Sequence, residues 1–323
     1  MASETHEIKR LEYTRPEKNF LPINSSLITN VSSREWSAEK KIQIGLIFRI
    51  LNSNFSNRKR KKILRPTKSV LYFSLSLTFN LRSMCYYTSI DTLKVKSIEL
   101  KGKSKKLPEL SNLVQNGFDY ENTPIIKYNA DEWAVEMAHW ELIAPWINNM
   151  TDQEESRKRF TTLNARAEKL LESRLFLEPT LKRRCIIPTT GFYEWRTYKG
   201  KKYPYFIRPF TSEEDGLFLM AGIYNTWTDK NSGETMDTFA IITTNANSLM
   251  EQIHNSKKRM PLLFDKQHAN QWLSDIGIDK IKEAISFEYD SKKMNAYTIA
   301  RDFRSSKEPR EEHNFLELPE IVL

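Results

Sequence analysis

Residues 183–195, RRCIIPTTGFYEW, hold two strands' worth of signal in a short space. Cys185-Ile186-Ile187 is an apolar, β-branched run that reads as a buried strand. Pro188 and Gly191 punctuate it, and 192–195 resume an extended, aromatic-rich pattern. In an extended segment alternate side chains face opposite ways, so Phe192 and Glu194 share one face and Tyr193 and Trp195 the other. A carboxyl set beside an aromatic ring, away from other charges, holds its proton to higher pH. A Glu protonated near neutrality both donates and accepts a proton, as a general acid/base must. On this stretch alone, a solvated hairpin glutamate is the plainer reading of the same residue.

Downstream, 203–207, 216–224 and 238–244 are apolar strand candidates, the first preceded by the basic turn Lys199-Gly200-Lys201-Lys202. They predict a closed or strongly curved antiparallel sheet. Asn245-Ala246-Asn247 opens a helix running through Leu249 and Ile253 to His254, followed by NSKKRMP at 255–261. Lys257, Lys258 and Arg259 form a patch able to hold a phosphate near the His254 imidazole, although a single histidine is more often structural. Residues 267–275 read as a helix, 285–299 as a closing strand region and 305–312 as a charged surface or disordered coil.

Upstream, TTLNARAE at 161–168 reads as a strand entering a helix that runs from Ala167 to about Leu177, with Pro179 as its stop. Asn164 and Arg166 fall at the junction, where polar groups often meet ligand and where Asn also serves as a cap. In AHWELIAPW at 138–146, Trp140 and Trp146 bracket an apolar strand ended by Pro145. Tryptophans beside a groove stack on bases; buried ones anchor a core. Residues 93–100 are extended or helical, and Asn116-Gly117 is a turn.

The chain has 323 residues, enough for one large domain with an extension or for two domains. Its apolar fraction of 39% and charged fraction of 28% are ordinary for a soluble protein, and it has no uncharged apolar run of membrane-spanning length. Cys85 and Cys185 make no disulfide framework and have no zinc-ligand spacing, so a reducing cytosol is the default compartment. The net charge of +9 is unevenly spread: residues 1–84 carry 16 Lys/Arg against 6 Asp/Glu, leaving 34 against 35 for the remainder. Whatever the larger part binds, it uses a local basic patch rather than a global field. Residues 1–84 do not read as a domain. They offer one lone helix at 36–51, a basic RKRKK run at 58–62 and an apolar run at 70–79 too far from the terminus for a signal peptide.

Met84-Cys85, Asn164-Ala165-Arg166 with Glu168, GFYEW at 191–195, ITTNAN at 242–247, and Ile253-His254-Asn255 followed by Arg259-Met260-Pro261 together resemble the SOS-response-associated peptidase (SRAP) family of abasic-site-processing proteins. The match covers about residues 84–300. The resemblance implies an α+β fold, a single SRAP-like domain whose curved, barrel-like mixed sheet with flanking helices frames a groove for single-stranded DNA. It divides the chain into an extension at 1–84, poorly structured, removed or an artefact of start assignment; a catalytic domain at 85–300; and a tail at 301–323. It also implies a cysteine that acts once it is the first residue. A terminal Cys carries an amine of pKa about 8 and a thiol of about 8.5 on adjacent carbons. The amine forms an imine with the abasic aldehyde and the thiol closes onto it, giving a thiazolidine that links protein to DNA.

Carried over by motif, Cys85 is the nucleophile, Asn164 orients it, Glu194 shuttles protons and His254 protonates the sugar-ring oxygen. Arg166, Trp140, Trp146, Lys257, Lys258 and Arg259 face DNA, and Cys185 only packs. The implied partner is single-stranded DNA containing abasic sites, with replication-fork proteins as further candidates. No cofactor, metal or membrane is implied. A monomer is expected, cytoplasmic and nucleoid-associated if the source is bacterial. The sequence departs from the family in having Tyr86 where Gly is common, three added residues, 256–258, and the extension. With Met84 in place the Cys85 nitrogen is an amide, so the chemistry requires either a start at Met84 or self-cleavage before Cys85. A cysteine-type (auto)peptidase acting on protein and a non-catalytic single-strand-binding module are the alternatives.

Overall fold

The computed structural model describes residues 85–91, 95–110, 113–129, 132–210 and 216–322. The extension at 1–84, with its expected helix and its basic and apolar runs, lies outside the described residues. Strands follow in the order β1 (Tyr87–Ser89), β2 (Ser97–Leu100), β3 (Lys103–Lys106), β4 (Gln115–Asn116), β5 (Asn122–Asn129), β6 (Glu132–Trp140), β7 (Asn164–Arg166) and β8 (Arg184–Thr189). Then come β9 (Gly191–Tyr198), β10 (Lys201–Pro209), β11 (Phe218–Thr228), β12 (Thr235–Asn245), β13 (Arg259–Pro261), β14 (Leu263–Phe264) and β15 (Met294–Thr298).

The stretch quoted first supplies β8 and β9, and the two belong to different sheets. β12, β6, β5, β8 and β11 pair in that order and β11 pairs back onto β12, closing a five-stranded barrel. The three apolar strand candidates by themselves suggest an antiparallel sheet, whereas the family resemblance implies a mixed one. The observed one is mixed, because β12 runs parallel to β6, with Phe239 opposite Trp140, and parallel to β7, with Ile241 opposite Asn164. The second sheet has the order β15-β10-β9-β1-β4. Its β9–β10 hairpin turns at Lys199-Gly200, both at positive φ (46° and 75°). That pairing is what a two-residue turn matched to strand twist requires, and Gly adopts it without strain.

Every residue of β8 is buried. Its alternate side chains enter two different cores, which is why the segment reads as a continuous apolar run. Cys185 and Ile187 join Ile125, Met220, Phe239 and Ile241, together with Phe192, Tyr203 and Tyr205 of the second sheet. Ile186 joins Ile126, Ala221, Ile223 and Ile242, together with Ala269, Trp272 and Ile281 of the helices Lys266–Trp272 and Ile278–Ile285. On β9, Phe192 faces the barrel, while Tyr193 and Trp195 pack on the far side with Phe206 and Phe303. The two-faced reading of this strand therefore holds.

Two local expectations are corrected. The helix expected from Ala167 to Leu177 is a 3-10 turn, Ala167–Lys169, and the α-helix comes later, at Leu177–Lys182. Pro179 lies in that helix's first turn, where a backbone N–H has no intrahelical partner to lose, so it begins a helix instead of stopping one. The apolar strand between Trp140 and Trp146 is a loop: β6 ends at Trp140, and Leu142 and Ile143 are buried without strand pairing. Residues 305–312 form a surface segment, the first of the two alternatives expected for them. Arg310 pairs with Asp91 at 2.8 Å and Ile299 bridges Glu312. Among the described residues no helix is long and apolar enough to cross a membrane.

Candidate active site

Four separated segments bring Cys85, Asn164, Glu194 and His254 together. Cys85 lies two residues before the start of β1, which runs antiparallel to β9 with Tyr87 opposite Tyr193, so the chain delivers Cys85 beside Glu194. Asn164, on β7, donates from Nδ2 to the Cys85 carbonyl oxygen at 3.1 Å. His254 follows the helix Ser248–Ile253, whose N-cap Asn247 accepts from the Met250 N–H as the sequence suggested. The His254 Nε2 lies 3.7 Å from Glu194 Oε2.

The site is buried and under-satisfied. Cys85 is 1% exposed, Asn164 6%, Glu194 1% and His254 0%. Burial pushes the Cys85 thiol well above its ordinary value, and the Glu194 carboxyl against it adds to the rise. Burial also raises Glu194, against the opposing pull of His254 and the hydrogen bond to Cys85. Nδ1 of His254 lies 2.7 Å from the Arg259 carbonyl oxygen. A carbonyl only accepts, so Nδ1 carries the hydrogen and the nitrogen turned toward Glu194 is Nε2.

Six buried side-chain polar atoms have no hydrogen-bond partner among the described residues, and four sit here: Asn164 Oδ1, Glu194 Oε1, His254 Nε2 and Arg259 Nε. Unpaired buried polar atoms are costly, about 1–3 kcal/mol each, and their clustering marks a place built to bind something. The arrangement can hold a nucleophile, move a proton between a carboxyl and an imidazole, and accept hydrogen bonds from an incoming group. A cavity of about 520 Å³ lies apart from these four residues, lined by Glu168, Asn245, Met260, Phe287 and Tyr289 among others. No group of three or more His, Cys, Asp or Glu among the described residues is placed to hold a metal.

The residues expected to face DNA divide. Arg166, Lys257 and Lys258 are exposed, and Lys258 pairs with Glu251 at 3.4 Å. Trp146 is 46% exposed, with the Arg174 guanidinium 4.9 Å from its ring centroid. Trp140 is corrected: it is 2% exposed, donates its indole N–H to the Leu163 carbonyl at 3.0 Å and stacks on Phe239, leaving no face for a base. Arg259 is corrected as well. It turns inward, 8% exposed, and forks onto Glu168 through Nη1 and Nη2 at 2.9 and 3.0 Å. Glu168 stood in the motif with no role attached; only its distance from Asn164, one turn along, hinted that it belonged to the same site. Tyr86, the departure beside Cys85, is buried and packs on Phe118 at 4.7 Å between ring centroids.

The model of the SOS response associated peptidase (SRAP) family matches residues 84–306. The chain belongs to this family. Among relatives of this SRAP chain, the abasic site processing protein YoqW of Bacillus subtilis is 34% identical over 170 residues, covering 52% of this chain and 70% of YoqW. The abasic site processing protein HMCES of Xenopus tropicalis is 27% identical over 195 residues, 55% of this chain and 56% of HMCES. A crystal structure of a protein from Bacteroides thetaiotaomicron superposes on the SRAP chain with a TM-score of 0.58 at 33% identity, covering 70% of this chain and 97% of that one.

Proposed function

We propose that this chain captures abasic sites in single-stranded DNA by covalent attachment through Cys85. The observation that carries the reading is the meeting of Cys85, Asn164, Glu194 and His254, drawn from four segments into one buried cluster with unspent hydrogen-bonding capacity. The names of the related proteins support it.

With the Cys85 α-amine free, the steps balance without a redox partner. The ring-opened sugar presents an aldehyde. The amine adds to its carbon, and the resulting carbinolamine loses water to give an imine. The thiol then adds across the C=N bond, its sulfur bonding to carbon and its proton passing to nitrogen, which closes the thiazolidine. Glu194, whose carboxyl burial biases toward the protonated form, gives a proton to the departing hydroxyl and recovers one from nitrogen, then relays the thiol proton to the imine nitrogen. Proton transfer from Glu194 to His254 Nε2 arms the imidazole to protonate the sugar-ring oxygen and open the ring. Asn164 fixes the Cys85 carbonyl and keeps Oδ1 for an amine N–H. Arg166, Lys257, Lys258 and Trp146 are the candidate contacts to the strand.

The amine becomes free if the chain starts at Met84 and loses it, or if the Cys85 thiol attacks the Met84 carbonyl and water hydrolyses the resulting thioester. Intact mass of Cys85→Ala expressed from the natural gene separates the two: blocked self-cleavage leaves residues 1–84 attached, whereas a start at Met84 gives a chain without them. The deciding test incubates chain beginning at Cys85 with an oligonucleotide carrying one abasic site and resolves the mixture on a denaturing gel. A heat-stable band that Cys85→Ala abolishes is the expected result. No band from the free-Cys85 chain, or a band that survives Cys85→Ala, overturns the reading.

A further inference from the structure

The Arg259 carbonyl that fixes the His254 tautomer belongs to a residue whose side chain is held from the other end. Arg259 opens β13 and pairs with Asn245 of β12. Its guanidinium donates to both oxygens of Glu168 at 2.9 and 3.0 Å, to the Thr243 carbonyl at 2.6 Å and to Asn245 Oδ1 at 3.2 Å. The fork is the strong, geometrically specific form of the arginine–carboxylate contact. Glu168 follows Asn164 by four residues, within the 3-10 turn that comes directly after β7. One carboxylate therefore ties the segment that holds the Cys85 carbonyl to the segment that orients His254.

We propose that Glu168 is a positioning residue: through Arg259 it fixes the carbonyl that keeps the hydrogen of His254 on Nδ1 and turns Nε2 to Glu194. The inference rests on the reading of His254 as the proton donor to the sugar. Burial alone would raise the Glu168 carboxyl; the Arg259 fork outweighs it and leaves Glu168 lowered, so the anchor is charged at neutral pH. Without that charge the guanidinium keeps Thr243 and Asn245 but loses the contact that sets its reach, and the carbonyl at the start of β13 is free to shift. The loop 255–258 has ties of its own, Ala246 N–H to the Lys258 carbonyl at 3.0 Å, two hydrogen bonds between Asn255 and the Thr197 backbone, and the Lys257 and Lys258 N–H groups to the His254 carbonyl at 3.2 and 2.8 Å, but these reach neither the Arg259 carbonyl nor the His254 ring.

The test compares wild type, Glu168→Gln and Glu168→Asp in the full chain by NMR of the isotope-labelled imidazoles, with the His254 signal identified by its loss in His254→Gln. Wild type and Glu168→Asp are expected to show the hydrogen on Nδ1, and Glu168→Gln a mixture of tautomers. In the form of the chain that gives a covalent band, Glu168→Gln slows band formation about tenfold, short of the ~100-fold that a 1 Å misplacement can cost. Binding of an undamaged oligonucleotide stays within twofold. A wild-type His254 signal in Glu168→Gln, or a rate loss matched by an equal loss of undamaged-DNA binding, overturns the proposal. Should Glu168→Gln fail to fold, Arg259→Lys keeps the charge and loses the fork, and must move the His254 signal the same way; an unmoved signal overturns the proposal. The NMR result stands even if no covalent band forms, so failure of the cross-linking reading and failure of this one are told apart.

Discussion

Alanine at Gly191 would place a methyl carbon 2.4 Å from Phe206 Cζ and 2.6 Å from the Ile207 carbonyl oxygen. The ring tip can tilt, but the carbonyl is backbone of β10, paired to β9 at the neighbouring Phe192. Ordinary contact begins at 3.4 Å, so the strands must part by about 0.8 Å, the difference between 3.4 and 2.6. Overpacking of this kind costs about 1–3 kcal/mol. The shift starts three residues from Glu194 on the same strand, and Glu194 meets both Cys85 and His254, so the site moves with it. Gly222→Ala is the control: its nearest clash, at 2.4 Å, is with Ile187 Cδ1, a side-chain tip that can rotate, and its backbone contact is a milder 3.1 Å. Urea denaturation and the rate of covalent-band formation are measured on both. Gly191→Ala is expected to lose stability and slow the reaction at least tenfold, whereas Gly222→Ala loses stability with its rate within threefold. A Gly191→Ala protein within 0.5 kcal/mol of wild type that reacts at full rate would refute the argument that Gly191 sets the seat of Glu194.

Two further outcomes follow from burial and charge. Trp140→Ala is expected to destabilise the fold by about 3–5 kcal/mol, whereas Trp146→Ala leaves stability within about 0.5 kcal/mol and weakens single-strand binding by about 1–3 kcal/mol, as loss of a stacking platform does. Equal stability losses at the two positions, read from urea melts beside fluorescence anisotropy, would contradict the assignment of Trp140 to the core. Because burial raises the Glu194 carboxyl above its unfolded value, the native chain binds one more proton than the unfolded chain between those two values, and stability falls as pH rises through that window. Glu194→Gln lacks this slope and is expected to gain on wild type as pH climbs from about 4 toward neutrality; a pH-independent gap between their denaturation midpoints would rule out a buried, raised carboxyl.

The sequence was most legible where period and punctuation agreed. The two faces of β9, the helix opened by Asn247 and the turn at Lys199-Gly200 all follow from local rules, and all are present. Barrel closure was anticipated, but the parallel pairing of β12 with β6 and β7 was not, because nothing local records which distant strand a segment will meet. Trp140 and Trp146 look equivalent in AHWELIAPW; what separates them is that β6 ends between them, and an apolar loop is hard to tell from a strand by composition. Arg259 misled for a related reason. It stands beside two exposed lysines in sequence, yet β13 turns it inward toward a carboxylate 91 residues away. The sequence pattern could assign charge to that patch but not direction.

The site's assembly order has a consequence for the chain while it is being made. Cys85 and His254 are 169 residues apart in sequence. At about 5–20 residues per second, translation leaves roughly 8–34 s between the emergence of the cysteine and the emergence of the last group that encloses it. For about the first two-thirds of that interval β1 has no β9 to pair with, and the sulfur stands in solvent, open to any aldehyde or oxidant. The buried seat that the finished fold provides is thus also a shelter, and the nascent chain is at its most vulnerable to the class of electrophile that the proposed reaction would capture.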